Sequence, residues 1–297
     1  MKNKIGYEVR ANGKINLYLD VLSKEESGFH TIKSIMQSVS LSDRAIVSLS
    51  KGAATVIHIT CDSPYVPCDE RNIAYKAAAK YLEACGIFAE VNINLQKRIP
   101  VSGGMAGGST DAAAILVALN KLLGGALSQN ELYKVAASLG SDVPFCLMGA
   151  TALCEGRGEI LTPIRNTARL KLLIVPSTEN VSTPWAYGML DDKFGDFSGR
   201  DNSARLLALS AALAAGDVRG VAANMYNIFE EVILPERPVA SRAKELLLEC
   251  GAIGAMMSGS GPTTFGIFED DETRAAAAAV LKENGYRPKT AESMIKL

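Results

Sequence analysis

The sequence predicts an α+β fold divided into two lobes. Three observations carry that prediction. Strand-like alternation dominates the first part of the chain, helical periodicity dominates the later part with short strands still between the helices, and 297 residues suffice for two ordinary domains. The change of character puts the boundary between residues 155 and 170.

The elements follow in chain order. Glu8–Val21 alternates and reads as strands around a turn at Asn12-Gly13. Ile32–Leu49 and Thr55–Thr60 are further strand-like segments. Asn72–Cys85 is helical in pattern and closed by Gly86. Val91–Leu95 is a short strand that runs through Lys97-Arg98-Ile99 into a glycine-rich loop, and Asp111–Leu123 is a largely apolar helix closed by Gly124-Gly125. Ser128 and Glu131 form a capping box that opens a helix ending near Gly140. Thr151–Leu153 and Leu170–Val175 read as strands, and Trp185–Arg200 as an irregular polar segment. Ala204–Ala215, Val221–Val232 and Val239–Cys250 are helical stretches. Ala255–Met257 and Thr264–Phe268 are strands flanking a second glycine loop, Glu272–Glu283 is the last helix, and a short strand falls near Ser293–Lys296.

Composition narrows the function. Lysine and arginine number 31 against 32 acidic residues, a net charge of −1, so no broad basic face exists to hold nucleic acid. The opening residues MKNKIGYEVR lack the apolar core of a secretory signal, and no run of ~18 uncharged apolar residues offers a membrane span. Six cysteines with no CxxC pair, beside two histidines, favour reduced thiols in a cytoplasmic setting over a zinc site. No heptad or apolar stripe marks an oligomer interface.

The stretch with most chemical content is Pro100-Val101-Ser102-Gly103-Gly104-Met105-Ala106-Gly107-Gly108-Ser109-Thr110, followed by the apolar helix. Glycines let a ligand approach bare backbone N–H groups, and a helix starting behind them points its positive end at the loop. Together they form a cradle for phosphate oxygens. Gly103 and Gly108 have the spacing of a Walker A loop, but Ser109-Thr110 stands where that motif needs a lysine, and GxGxxG fails at Ala106. Read alone, the stretch is a phosphate loop whose lysine comes from elsewhere, or a turn that only packs a helix on a sheet.

Two further segments bear on that choice. Ala11-Asn12-Gly13-Lys14-Ile15-Asn16-Leu17 sets a lysine in an apolar strand, and Gly254–Gly266 contains the tight Ser258-Gly259-Ser260-Gly261-Pro262 turn. In this order the three segments resemble the motifs of the GHMP kinase family, which includes galactokinase and the homoserine, mevalonate and phosphomevalonate kinases. The resemblance covers nearly the whole chain. The family's second motif usually reads P-x-x-x-G-L-G-G-G-S-S; here Met105 stands for leucine and Ala106 for glycine. Methionine is a near-volume exchange, and Ala106 is expected at negative φ.

The resemblance implies a two-lobed fold. Residues 1–165 would form an N-terminal ATP-binding lobe like ribosomal protein S5 domain 2, and residues 166–297 a ferredoxin-like C-terminal lobe. It implies ATP as donor, Mg²⁺ arriving with the nucleotide, and a small-molecule acceptor. From position alone Asp142 reads as an N-cap carboxylate; the resemblance makes it the family's catalytic base. Lys14 would stand beside it and keep the carboxylate ionised. The loop residues Pro100 to Thr110 would cradle the phosphates, with Ser109 and Thr110 offering hydroxyls to a phosphate oxygen or to Mg²⁺, while Lys97 and Asn72 match positions near the nucleotide. Lys97 is otherwise a solvated strand end.

Gly28-Phe29-His30-Thr31 and Ser141-Asp142-Val143-Pro144-Phe145 point to a branch whose acceptor is a cytidine diphosphate-linked methylerythritol of the non-mevalonate isoprenoid route. On that resemblance Phe29 stacks on cytosine, His30 bonds its edge, and Asn16 contacts substrate near Lys14. The usual tyrosine is phenylalanine at position 29, which keeps the ring face and loses the hydroxyl. Trp185 and Tyr187 border the cleft or simply pack. Two alternatives stay open: a homoserine or mevalonate type of kinase, and a catalytically silent nucleotide-binding regulator.

Overall fold

The computed structural model describes residues 6–295. In chain order the first elements are β1 (Gly6–Lys24), β2 (His30–Lys51), β3 (Val56–Cys61), α1 (Ile73–Cys85), β4 (Ala89–Gln96), α2 (Gly107–Leu122), α3 (Gln129–Ala137) and α4 (Asp142–Met148). There follow β5 (Thr151–Glu155), β6 (Ile160–Pro163), β7 (Lys171–Val175), α5 (Thr183–Phe194), α6 (Ser203–Ala215), α7 (Val218–Asn224), β8 (Tyr226–Asn227) and α8 (Glu230–Ile233). A 3₁₀ turn at Leu234–Glu236 leads to α9 (Pro238–Glu249), β9 (Gly254–Met257), β10 (Thr264–Phe268), α10 (Asp271–Glu283) and β11 (Lys289–Glu292). The mixture of helices and sheets is the expected α+β class.

Two compact units interleave along the sequence. One holds the residues up to Gly13, Ser42–Val101 and Ala106–Met148; the other holds Lys14–Leu41, Ser102–Met105 and Gly149 onward. Strands β1 and β2 therefore run through both, and the glycine-rich loop changes unit twice.

In the first unit the C-terminal half of β2 pairs antiparallel with β4, Arg44 opposite Gln96 and Lys51 opposite Ala89, and β3 adds in parallel on the other edge of β4. Helices α1 and α2 cover this sheet. Asn72 starts α1 by accepting the Ala74 N–H, and Gly86, in the left-handed region at φ 64°, ends it. Ala112–Leu116, Ala118 and Leu119 of α2 are buried against Ala74, Ala77, Ala78, Tyr81 and Leu82 of α1 and against Val91, Ile93 and Leu95 of β4. Each large aliphatic side chain buried there contributes about 1.5–3 kcal/mol.

In the second unit, β7 and β10 form the centre of a four-stranded antiparallel sheet ordered β11-β7-β10-β9. Helices α9 and α10 pack on it through Ala243, Leu246, Leu247, Ala277 and Leu281. A second core gathers Leu19, Val21 and Ile32 with Ala186 and Leu190 of α5 and with Ile228, Phe229 and Val232. Strand β8 pairs in parallel with β1, Tyr226 opposite Tyr18 and Asn227 opposite Leu19.

Several sequence expectations are corrected. Asn12-Gly13 makes no turn: β1 is one strand of 19 residues, and every residue from Gly13 to Val21 is buried. A strand held along its length and covered on both faces overrides a local turn preference. Trp185–Arg200 is not irregular, because Ser182 accepts the Trp185 N–H, Pro184 occupies the first turn, and α5 continues to Phe194. Val221–Val232 is not one helix; its middle is taken by the Tyr226–Asn227 strand, leaving α7 and α8 on either side. The last strand lies at Lys289–Glu292, with Ser293 bridged to Val39; Lys296 falls outside the described residues. Ala106 has φ 57° rather than a negative value. Helix α2 begins at Gly107, so Gly107, Gly108, Ser109 and Thr110 form its first turn.

Candidate active site

In the second unit the three sequence motifs come together. The Lys14 N–H donates to the Met105 carbonyl at 3.2 Å, joining the first motif to the second. The Ser258 hydroxyl donates to the Gly104 carbonyl at 3.1 Å, joining the second to the third. Gly104 sits at φ 76°, and a Cβ there would collide with the Ser258 carbonyl. Gly259 is equally constrained: a Cβ on it would stand 2.8 Å from the Gly104 carbonyl oxygen and 3.4 Å from Lys14 Nζ. Glycine is required because backbone meets backbone.

The Lys14 ammonium is 4% exposed and donates to Asn16 Oδ1 at 2.8 Å. Asn16 Nδ2 donates to Ser34 Oγ at 2.8 Å, and Ser34 donates to the Tyr18 carbonyl at 2.6 Å. Lys14 and Asn16 are two apart on β1 and share a face. A buried cation thus has a carboxamide whose own orientation is fixed from β2.

His30 opens β2 and lies in a built aromatic setting. Its Nε2 meets Asp191 Oδ1 at 2.7 Å, its ring stacks on Tyr187 at 4.5 Å between centroids, and Phe197 meets it edge-on at 5.8 Å. Tyr187 and Asp191 are i and i+4 on α5, so one helical face grips one imidazole. Partial burial pushes the Asp191 carboxyl up, and hydrogen bonds and charge from Lys24 and His30 outweigh it, leaving the group below its usual range. An ionised Asp191 holds the proton on Nε2. Phe29 is 56% exposed, with the Arg157 guanidinium 4.1 Å over its ring. Trp185 carries the Arg237 guanidinium 4.4 Å over its ring.

In the first unit α2 starts without a side-chain cap at Ala106, so its first N–H groups are unclaimed by capping side chains. The Thr110 N–H bonds the Ala106 carbonyl at 2.9 Å, and its hydroxyl donates to the Asn12 carbonyl at 2.6 Å. That proton is committed, so the Thr110 oxygen can still accept or ligate but has no hydrogen to give a phosphate. Gly108 and Ser109 complete the turn.

Lys97 is not a solvated strand end. Its side chain is 7% exposed, and its ammonium pairs with Asp111 at 2.5 Å and with Asp43, reaching the Gly107 carbonyl at 3.4 Å. Burial opposes the charge on Lys97, and the two carboxylates outweigh it and raise its pKa. Burial also drives Asp111 up to about 7, ahead of the opposing pull of Lys97, and Asp111 Oδ1 has no hydrogen-bond partner among the described residues. Asp43, fully buried, additionally accepts the Arg98 N–H and, at 2.8 Å, the Ile99 N–H. It fixes the turn that enters the glycine loop. Nothing in the sequence marked Asp43 except its place in a strand-like run.

Asn72 is buried with both ends of its carboxamide used: Oδ1 caps α1 and Nδ2 donates to the Pro67 carbonyl at 2.7 Å. Asp142 is the first residue of α4 and half-buried, in the first turn, where acidic residues are favoured. Among the described residues no group of three or more histidine, cysteine, aspartate or glutamate side chains is placed to hold a metal ion. No helix among them is long and apolar enough to cross a membrane.

Comparison with known proteins gives a consistent result. The family model for the GHMP kinases N terminal domain matches residues 72–150, and that for GHMP kinases C terminal matches 209–287. A protein of Caldicellulosiruptor saccharolyticus named 4-diphosphocytidyl-2-C-methyl-D-erythritol kinase is 43% identical over 92% of both chains. A Synechococcus protein of the same name is 41% identical over 92% of this chain and 88% of its own. A crystal structure of 4-(cytidine 5'-diphospho)-2C-methyl-D-erythritol kinase superposes with a TM-score of 0.80 at 31% identity, covering 97% of this chain and 99% of that one.

Proposed function

The chain belongs to the GHMP kinase family, and on that premise we propose how its residues carry out the phosphorylation. The reaction is ATP-dependent transfer of the γ-phosphoryl group to the 2-hydroxyl of 4-diphosphocytidyl-2-C-methyl-D-erythritol, giving the 2-phosphate and ADP. The observation that carries the assignment of residues is the meeting of Lys14, Gly104-Met105 and Ser258-Gly259 through direct backbone and hydroxyl contacts. Lys97 is held by Asp43 and Asp111, and the buried Lys14, joined to the Gly104-Met105 turn, is assigned to the transferring group.

In this reading Asp142 accepts the proton of the substrate hydroxyl as its oxygen attacks the γ-phosphorus and the bond to the β,γ-bridging oxygen breaks. Lys14 stabilises the charge gathering on the transferred group, and Asn16 keeps it from turning away. The uncapped start of α2 and the N–H groups of residues 103–109 receive the β- and γ-phosphates, the Thr110 N–H being held by the Ala106 carbonyl. Mg²⁺ neutralises phosphate charge when bound, and oxygen donors at Ser109 and Thr110 suit an ion that keeps most of its ligands from nucleotide and water. Asn72 and Lys97 border the nucleotide side; Asn72 acts by capping α1, which packs on α2.

The cytosine end is read at His30. With Nε2 given to Asp191, Nδ1 is the ring nitrogen left for the polar edge of cytosine. Phe29 offers an exposed ring face for stacking. The division of labour runs between an N-terminal ATP-binding lobe over residues 1–165 and a C-terminal lobe over 166–297, supported by the two family models falling on either side. Six cysteines with no CxxC pair support a cytoplasmic setting.

A coupled ADP-release assay over a panel of acceptors tests this function. Turnover with the cytidine-linked substrate and none with homoserine or mevalonate is expected; turnover with either of those instead overturns the substrate assignment, and binding without ADP release overturns the kinase.

A further inference from the structure

Asn227, 3% exposed, stands in the two-residue strand β8. Its Nδ2 donates to two carbonyls of the third motif, Met257 at 2.7 Å and Gly259 at 2.8 Å, and its Oδ1 accepts the Phe229 N–H at 3.0 Å. All of its hydrogen-bonding capacity except one acceptor lone pair is thereby used, which fixes the carboxamide completely. The strand it stands on is itself pinned: Asn227 pairs with Leu19 of β1, and the Ile228 N–H donates to the Leu19 carbonyl at 3.0 Å. Strand β1 also carries Lys14.

Glu230 reinforces the same loop from the start of α8. Its Oε1 accepts the Met257 N–H at 2.8 Å, and its Oε2 is held by Lys244 at 2.7 Å. The third motif is thus clamped at Met257 through both its N–H and its carbonyl, and at Gly259 through its carbonyl. Gly259 in turn backs directly onto Lys14 Nζ and the Gly104 carbonyl.

We propose that Asn227, supported by Glu230, is a positioning residue for phosphoryl transfer: it ties the Ser258–Gly261 loop to the strand bearing Lys14, so that the loop fixes Lys14 Nζ and the Gly104-Met105 turn at a set spacing. It touches neither nucleotide nor acceptor and acts only through backbone. Glycines on both sides of the contact have no side chain to lock the spacing, so the carboxamide supplies the rigidity that the close approach removes. The inference rests on the kinase reading above.

The test is steady-state kinetics of the whole enzyme with ATP and the cytidine-linked acceptor, with far-UV circular dichroism and a thermal melt as folding controls. Asn227→Ala is expected to fold and to lose about a hundredfold in kcat, the cost of roughly an ångström of misplacement, with the KM for acceptor within a factor of about three. Glu230→Ala is expected to lower kcat about tenfold, and Glu230→Gln, which keeps the acceptor for Met257 N–H, to restore most of it. Wild-type kcat in folded Asn227→Ala, a loss expressed in KM alone, or equal activity of the two Glu230 variants overturns the proposal. If Asn227→Ala fails to fold, the Glu230 pair decides. A wild-type enzyme that releases no ADP overturns the kinase reading instead, so the two failures are distinct.

Discussion

Lys14 and Asn16 stand two residues apart on one strand, and the ammonium of the first donates to the carboxamide oxygen of the second at 2.8 Å. The pair is buried, and Asn16 is anchored in turn by Ser34. A cation kept out of water and held in one rotamer is worth more to a developing charge than a mobile surface lysine. Lys14→Ala is therefore expected to lower kcat by about two to three orders of magnitude, and Asn16→Ala by less, because the charge remains. Equal losses, measured by ADP release, would show that Asn16 does more than orient Lys14.

The His30–Asp191 contact at 2.7 Å predicts selective damage. His30→Ala should raise the KM for the cytidine-linked acceptor by about 10- to 100-fold, the value of one hydrogen bond to a polarised partner. The KM for ATP should stay where it is. Separate titrations of the two substrates check this; a matching rise in the ATP constant would contradict a cytosine role.

Ala106 carries an L side chain at φ 57°, where the left-handed conformation costs about 1–2 kcal/mol. Ala106→Gly removes that strain and gives back part of the gain as unfolded-chain entropy. A net stabilisation of about 0.5–1 kcal/mol is expected in urea unfolding, whereas Ala106→Val should destabilise by more than about 1 kcal/mol. A destabilised glycine variant would contradict the assignment of strain.

Asp111 makes stability pH-dependent in an unusual direction. Burial lifts its pKa from 3.8 to about 7, so the folded state binds more protons than the unfolded state between those values, and stability falls as pH rises through that window. Asp111→Asn removes the titration. The stability of the variant relative to wild type should rise from pH 4 to pH 8 by on the order of 2–4 kcal/mol. Urea unfolding at several pH values reads this slope; a difference between variant and wild type that stays flat from pH 4 to pH 8 contradicts it.

Much of this was legible in the sequence because it is local. The glycine loop, the lysine in an apolar strand, the capping box at Ser128 and the helix stop at Gly86 are each written within a few residues. What was hidden depends on partners far along the chain. Asn12-Gly13 looks like a turn, and burial of β1 from Gly13 to Val21 keeps it extended. Asn227 sits in an apparently helical run, and its meaning comes from Met257 and Gly259, thirty and thirty-two residues away. Asp43 is equally silent until the turn at Lys97–Ile99 folds over it. Helix α5 is different: Ser182 and Pro184 mark its start, and Gly188 within it, with Gly195 and Gly199 after it, obscures the signal.

The most direct test of the account is Asp142→Asn, assayed at once for ADP release and for ATP binding by calorimetry. The substitution keeps the size of the side chain and removes its capacity to take a proton. The account predicts no measurable turnover with ATP affinity unchanged; turnover at the wild-type rate would contradict it.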